Sequence, residues 1–122
     1  MKRVLIVDDE ESIRLLLRRI LESNPGLEMT LAGSGDEAME LTADRAYDLI
    51  LLDLLMPGKG GIEVLTRIRG GSANRKTPVI IVSVLADPQT RMVCQSMGVS
   101  GYLVKPIDRE AVIQAVNGVI AA

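Results

Sequence analysis

Three residue types are missing from this 122-residue chain, which contains no phenylalanine, no tryptophan and no histidine. With only two tyrosines present, the hydrophobic core must be built almost entirely from aliphatic side chains. The single cysteine, Cys94, has no second cysteine for an internal disulfide and no histidine to activate its thiol as a nucleophile. These absences exclude a disulfide-stapled scaffold and an imidazole-activated thiol.

Strong net charge and long apolar runs are also missing. A net charge of −2 gives no long-range attraction to nucleic acid or to an anionic membrane. The longest apolar runs, such as residues 49–52, are far too short to span a bilayer, and Asp8 and Asp9 interrupt the first run too early for a secretion signal. We therefore expect one cytoplasmic domain over residues 1–122 that contacts neither nucleic acid nor membrane directly.

Five short apolar runs alternate with helical patterns along the chain. The runs indicate buried strands and cover residues 4–7, 29–32, 49–52, 79–82 and 102–104. Pro88 suits the first turn of the fourth helix, and Asp108 is a suitable cap for the fifth. The first helix is predicted by the i, i+3, i+4, i+7, i+8 spacing of Ile13, Leu16, Leu17, Ile20 and Leu21.

Five strand–helix units with continuously apolar strands predict an α/β fold with a parallel sheet covered by helices on both faces. Short connections and right-handed crossovers favour a flavodoxin-like, doubly wound sheet with strand order 2-1-3-4-5 and five helices. The third run, residues 49–52, is the most apolar and is expected at the centre of the sheet. In such folds the functional site lies beyond the carboxyl ends of the strands.

Polar or charged residues follow four of the five predicted strands. Asp8 and Asp9 follow the first strand, Asp53 the third, Ser83 the fourth and Lys105 the fifth. Three carboxylates at one edge would repel one another unless a cation joined them, and Mg²⁺ is the hard dication that oxygen ligands suit. A lysine, a hydroxyl and a metal ion are together what the oxygens of a phosphoryl group require, and an aspartate can be the nucleophile.

These residues carry a resemblance to a known family. The sequence resembles the CheY-like receiver domains of two-component response regulators over essentially its whole length. The matching segments are Val7-Asp8-Asp9-Glu10, Asp53-Leu54-Leu55-Met56-Pro57, Gly61, Ser83 and Gly98-Val99-Ser100-Gly101-Tyr102-Leu103-Val104-Lys105-Pro106. Their order along the chain, each at the expected strand end, makes the combination far more specific than any one segment.

The resemblance implies a phosphorylation site with its metal. Asp53 would accept the phosphoryl group to become an aspartyl phosphate. Asp9 would bind Mg²⁺ directly, Asp8 would act mainly through a metal-bound water, and the backbone carbonyl of Leu55 would be a further ligand. The reaction would be confined to the chain's own phosphorylation and dephosphorylation, so the protein would be a signalling switch and not an enzyme with an external substrate.

The resemblance also implies how the phosphoryl group is sensed and supplied. Ser83 and Tyr102 would form the switch pair, and Lys105 would contact the phosphoryl group. Phosphorylation would change the surface of the fourth helix, fifth strand and fifth helix, towards an output that the sequence does not identify. Because the chain has no histidine, the phosphohistidine donor must be a partner, either a histidine kinase or a histidine phosphotransfer protein.

Two residues depart from the family pattern. Val84 stands where the family usually has alanine, and its larger side chain would narrow the approach to a phosphorylated Asp53. Leu55 is apolar at a position that is often polar, which removes one means of aligning a hydrolytic water. Both departures predict slow loss of the phosphoryl group.

Structural interpretations compete with these functional ones. Asp8 and Asp9 could simply favour the N-terminus of the following helix, and Tyr102 could be plain half-buried packing. Met92 and Met97 are interpreted as core filling, and Arg14 as part of a solvated helix face.

Two other functions share part of the pattern. A phosphohydrolase of the haloacid-dehalogenase type also uses an aspartate nucleophile, Mg²⁺, a hydroxyl residue and a lysine, but it needs a second acid where this chain has Leu55. A nucleotide- or flavin-binding module would have a glycine-rich turn after the first strand. The acidic turn of residues 8–11 would instead repel phosphates.

Overall fold

The computed structural model describes residues 1–120 and contains five strands that alternate with five helices. The strands are β1 (Lys2–Val7), β2 (Leu27–Ala32), β3 (Leu49–Leu52), β4 (Val79–Ser83) and β5 (Gly101–Val104). The helices are α1 (Glu11–Leu21), α2 (Gly35–Asp44), α3 (Gly61–Gly70), α4 (Pro88–Ser96) and α5 (Arg109–Ile120). The last two residues of the predicted domain, 121 and 122, lie outside the described residues.

All five strands are parallel and lie in the order β2-β1-β3-β4-β5, which confirms the predicted doubly wound α/β fold. The strand β3 is the middle strand, and each of its four residues is buried, as its apolar sequence predicts. Within residues 1–120, no helix is both long enough and apolar enough to cross a membrane.

Successive side chains of the central strands point to opposite faces of the sheet, so each strand contributes to two cores. Ile50 and Leu52 of β3 face α2, α3 and α4, whereas Leu49 and Leu51 face α1 and α5. Val64 and Leu65 of α3 close the first core, while α1 and α5 close the second with Leu17, Ile20, Leu21, Val112 and Val116. The sheet is therefore covered on both faces, as the predicted fold requires.

The helix predicted from the spacing of residues 13–21 is confirmed as α1, in which Leu17, Ile20 and Leu21 are buried and Leu16 is 40% exposed. One packing prediction is wrong. Met92 is 68% exposed and does not contribute to the core. Cys94 is the only residue of α4 that is buried. The helix α4 is thus only lightly packed on the sheet.

The helix boundaries follow local signals in the sequence. The side chain of Asp87 caps α4 by accepting a hydrogen bond from the backbone N–H of Thr90, and Pro88 occupies the first turn as predicted. Gly98 adopts a φ of +74° just after α4, a left-handed conformation that glycine tolerates and that ends the helix. The carbonyl of Asp108 accepts from Val112, which places Asp108 at the start of α5.

Candidate functional site

The carboxyl ends of β1 and β3 bring three carboxylates together. Asp8, Asp9 and Asp53 each offer one carboxylate oxygen, and these three oxygens lie within 4.8 Å of one another. Asp8 and Asp53 are almost completely buried, whereas Asp9 is exposed at the mouth of the cluster. The predicted acidic cluster is therefore a compact group with one open side.

Lys105 reaches this cluster from the end of β5. Its Nζ lies 2.8 Å from Asp8 Oδ2 and 3.5 Å from Asp53 Oδ2, and its side chain is only 9% exposed. The lysine therefore bridges two buried carboxylates, and the shorter contact is to Asp8. The backbone N–H of Lys105 also donates to the carbonyl of Ser83, so β5 is paired with β4 directly beside the site.

Backbone amides orient the two buried carboxylates. The N–H of Glu10 donates to Asp8 Oδ1 at 2.9 Å, and the N–H of Leu55 donates to Asp53 Oδ1 at 3.3 Å. Each aspartate therefore has one oxygen held by its own loop and the other directed towards Lys105. Such fixed orientation favours a site that binds or reacts over a merely solvated turn.

The loop that carries Asp53 is supported closely by α3. The N–H of Gly61 donates to the carbonyl of Leu54, and a Cβ atom at Gly61 would overlap the Asp53 carbonyl oxygen and the Leu54 backbone. Glycine is required here because the helix begins against the backbone of the acceptor loop.

The electrostatics of the cluster show an uncompensated negative charge. Burial is the main cause that raises the pKa of Asp53 above its ordinary value, and the charge of Asp8 raises it further, although Lys105 acts in the opposite direction. Burial alone would lower the pKa of Lys105, but the hydrogen bond with Asp8 and the charges of both aspartates outweigh it, so this pKa is raised. One ammonium group does not neutralise the three carboxylates.

The residues of the cluster fit a hard divalent cation. The carboxylate oxygens of Asp8, Asp9 and Asp53 are the donors that Mg²⁺ prefers, and they lie close enough to share one ion. The repulsion that raises the pKa of Asp53 would be relieved by a bound cation. The cluster therefore has the chemistry and the charge of a Mg²⁺ site.

Ser83 and Tyr102 lie on neighbouring strands and are linked through the β4–α4 loop. Ser83 is completely buried, and its Oγ accepts a hydrogen bond from the N–H of Leu85 at 3.2 Å. The hydroxyl of Tyr102 donates to the carbonyl of Leu85 at 2.7 Å, and its ring packs against the core. The structure thus joins the two predicted switch residues through one intervening residue.

Two apolar side chains are exposed beside Ser83 and Asp53. Leu55 is 59% exposed and Val84 is 55% exposed, although an apolar side chain gains nothing from contact with water. They are the two residues that depart from the pattern of the family that the sequence resembles. Leu55 lies in the loop after β3, and Val84 lies in the loop after β4.

Two arginines make contacts that the sequence does not predict. The guanidinium of Arg14 donates to the backbone carbonyl of Asp8 at 2.7 Å, so the interpretation of Arg14 as a solvated residue is wrong. The guanidinium carbon of Arg91 lies 4.6 Å from the centroid of the Tyr102 ring. No sequence signal identifies either contact, because each depends on how strands and helices are placed in space.

Comparison with known proteins agrees with the fold. Residues 4–117 match the family described as the response regulator receiver domain. The transcriptional regulatory protein ResD of Bacillus subtilis is 39% identical over 118 residues, which are 97% of this chain and 48% of ResD. The chain therefore spans about half the length of this curated relative.

Solved structures show the same architecture. The chemotaxis protein CheY4 of Vibrio cholerae matches with a TM-score of 0.89 and 30% identity, covering 98% of each chain. The receiver domain of the sensor histidine kinase PA1611 of Pseudomonas aeruginosa matches with a TM-score of 0.87 and 26% identity. This match covers 99% of this chain and 98% of the PA1611 domain, which was solved with a magnesium ion coordinated in its active-site cleft. The chain belongs to the response regulator receiver domain family of two-component systems.

Proposed function

We propose that this receiver domain, over residues 1–122, accepts a phosphoryl group on Asp53. The observation that carries the proposal is the convergence of Asp8, Asp9 and Asp53 within 4.8 Å at the strand ends, with Lys105 in contact with two of them. Asp53 is the carboxylate that directly follows the central strand, and it is oriented by the Leu55 amide and by Lys105. An aspartate so placed can form an acyl phosphate.

The phosphoryl donor is a phosphohistidine on a histidine kinase or a histidine phosphotransfer protein. This donor is a separate protein because the chain itself has no histidine. A carboxylate oxygen of Asp53 attacks the phosphorus, the new O–P bond forms, and the bond from phosphorus to the donor nitrogen breaks. Lys105, which contacts Asp53 Oδ2, holds an oxygen of the transferred group. The hydroxyl of Ser83 donates to another of its oxygens.

Asp8, Asp9, Asp53 and the backbone carbonyl of Leu55 would hold Mg²⁺, with Asp8 contributing mainly through a bound water. When bound, the ion supplies positive charge that stabilises the phosphoryl oxygens during transfer. The magnesium ion in the cleft of the PA1611 receiver domain, which shares this fold, supports the assignment.

Phosphorylation is read out through Ser83, Tyr102 and the surface formed by α4, β5 and α5. The chemistry is confined to Asp53, so the domain acts as a switch without an external substrate. The relatives that are transcriptional regulators are about twice as long, and the output belongs to a partner or to another domain. This domain itself makes no specific DNA contact, in keeping with its net charge of −2.

Intact-mass measurement after incubation with acetyl phosphate and Mg²⁺ tests the proposal. The wild-type chain should gain one phosphoryl group, whereas Asp53→Asn should gain none. Asp44→Asn, which removes an exposed carboxylate from α2, is the matched control and should label like wild type. Labelling of Asp53→Asn, or no labelling of wild type, contradicts the assignment. Continuous release of phosphate without a stable adduct would instead indicate a phosphohydrolase.

A further inference from the structure

The helix α4 depends on few contacts to keep its place on the sheet. Cys94 is its only buried residue, and Met92 and Val93 are exposed. A helix that buries so little apolar surface gains little free energy from packing. Contacts made by its polar side chains therefore have a large share in fixing the position of α4.

Arg91 makes one such contact at the N-terminal half of α4. Its guanidinium carbon lies 4.6 Å from the centroid of the Tyr102 ring, within the range of a cation–π interaction. Asp87, one turn earlier, accepts hydrogen bonds from the backbone and hydroxyl of Thr90. Among residues 1–120, Arg91 forms no ion pair within 4.0 Å, and the Tyr102 ring is the group that its cation faces.

Two hydrogen bonds, through Leu85, connect Tyr102 to Ser83. The Tyr102 hydroxyl donates to the carbonyl of Leu85, and the N–H of the same Leu85 donates to Ser83 Oγ. Within the described residues 1–120, the Ser83 hydroxyl accepts this bond and donates none to a protein atom. Its proton is thus available to an oxygen of a phosphoryl group on Asp53.

We propose that Arg91 is a positioning residue of the switch, which holds the Tyr102 ring so that the Leu85 backbone presents Ser83 to the phosphoryl group. The proposal rests on the proposed function of Asp53, and it adds a residue of α4 that touches neither the phosphoryl group nor the metal. Arg91 favours the arrangement of the β4–α4 loop that is ready for phosphorylation. By linkage, a phosphoryl group at Asp53 must then stabilise the contact between Arg91 and Tyr102.

The position of Tyr102 can be followed without any phosphoryl donor. The chain has no tryptophan and two tyrosines, so a Tyr47→Phe background leaves Tyr102 as the sole intrinsic fluorophore. In that background Arg91→Gln should raise the equilibrium constant for release of the Tyr102 ring from its packed position by about two- to five-fold, which corresponds to the free energy of an exposed cation–π contact. Quenching of the Tyr102 fluorescence by acrylamide should therefore increase. Quenching in Arg91→Lys should lie between that of the Tyr47→Phe background and that of Arg91→Gln. Arg67→Gln, which removes an exposed arginine from α3, should leave quenching unchanged.

The effect on the acceptor site is measured as the initial rate of Asp53 labelling by acetyl phosphate and Mg²⁺. Arg91→Gln should slow labelling by about two- to five-fold, and Arg91→Lys should restore most of the loss. If Arg91 acts through the ring, Arg91→Gln should have no further effect in a Tyr102→Leu background. A merely structural role of Arg91 would instead slow labelling equally in both backgrounds.

Unchanged quenching in Arg91→Gln, or an equal loss of labelling with and without the Tyr102 ring, overturns the proposal. Failure of the proposed function is a separate result, in which the wild-type chain gains no phosphoryl group at all. The quenching measurement needs no phosphorylation, so it still decides in that case whether Arg91 holds the Tyr102 ring.

Discussion

Lys105 Nζ lies 2.8 Å from Asp8 Oδ2 but 3.5 Å from Asp53 Oδ2, so the nearer partner of the lysine is not the proposed acceptor. The stronger ion pair is therefore with Asp8. Asp53 has the longer and weaker contact with Lys105. This division of contacts leaves the folded state with a buried carboxylate that is only partly compensated.

The first prediction concerns the pH dependence of stability in EDTA. The pKa of Asp53 is raised by folding, chiefly through burial, so the folded chain binds this proton more tightly than the unfolded chain. The free energy of unfolding should therefore fall as the pH rises from the ordinary aspartate value through the raised one. Asp53→Asn should be more stable than wild type at neutral pH, by on the order of 1 kcal/mol, and lose this advantage in acid.

Urea unfolding at a series of pH values measures this difference, with Asp44→Asn as the control for an exposed carboxylate. A wild type more stable than Asp53→Asn at neutral pH would contradict the prediction, because it would mean that the contact with Lys105 outweighs the cost of burial.

The second prediction concerns the lifetime of the acyl phosphate. Leu55, 59% exposed, offers no hydrogen bond to a water that approaches Asp53. Leu55→Asn should add one, and a single hydrogen bond to the attacking water should shorten the lifetime about five-fold. Met92→Asn introduces the same side chain at an exposed apolar position of α4 and should leave the lifetime unchanged. Loss of the phosphoryl group is followed by intact mass after removal of the donor, and equal lifetimes in all three proteins contradict the prediction.

The fold was predictable from the sequence because its signals are local. Continuous apolar runs such as residues 49–52 identify buried parallel strands, and the residues that follow them must meet at one edge of the sheet. Periodicity predicts the helix α1 but does not say how wide its buried stripe is, so the exposure of Leu16 is not evident from the sequence. Arg14 and Arg91 contact partners that only the assembled fold brings near, so no spacing in the sequence predicts them.

The third prediction concerns Tyr47, whose hydroxyl is buried without a hydrogen-bond partner among residues 1–120. Tyr47→Phe loses no hydrogen bond and removes a desolvated polar group, so the free energy of unfolding should stay unchanged or rise by about 1 kcal/mol. Tyr102→Phe is the matched control, because it removes a hydroxyl that donates to the Leu85 carbonyl and should cost about 1 kcal/mol. Urea unfolding of both variants tests this, and a clear loss of stability in Tyr47→Phe would reveal an unrecognised partner.

The last prediction concerns Mg²⁺ and Asp9. The folded chain gathers Asp8, Asp9 and Asp53 within 4.8 Å, whereas the unfolded chain separates them, so their repulsion is a cost of the folded state alone. We expect Mg²⁺ to bind this preformed cluster, and at about ten times its dissociation constant it should raise the free energy of unfolding by roughly 1.4 kcal/mol. Asp9→Asn removes an exposed proposed ligand and part of the repulsion together. It should be more stable than wild type in EDTA but respond less to Mg²⁺.

Urea unfolding in Mg²⁺ and in EDTA measures both effects, and equal Mg²⁺ shifts in the two proteins would show that the ion binds elsewhere. An Asp9→Asn variant less stable than wild type in EDTA would show that Asp9 is held by structural hydrogen bonds that outweigh the repulsion.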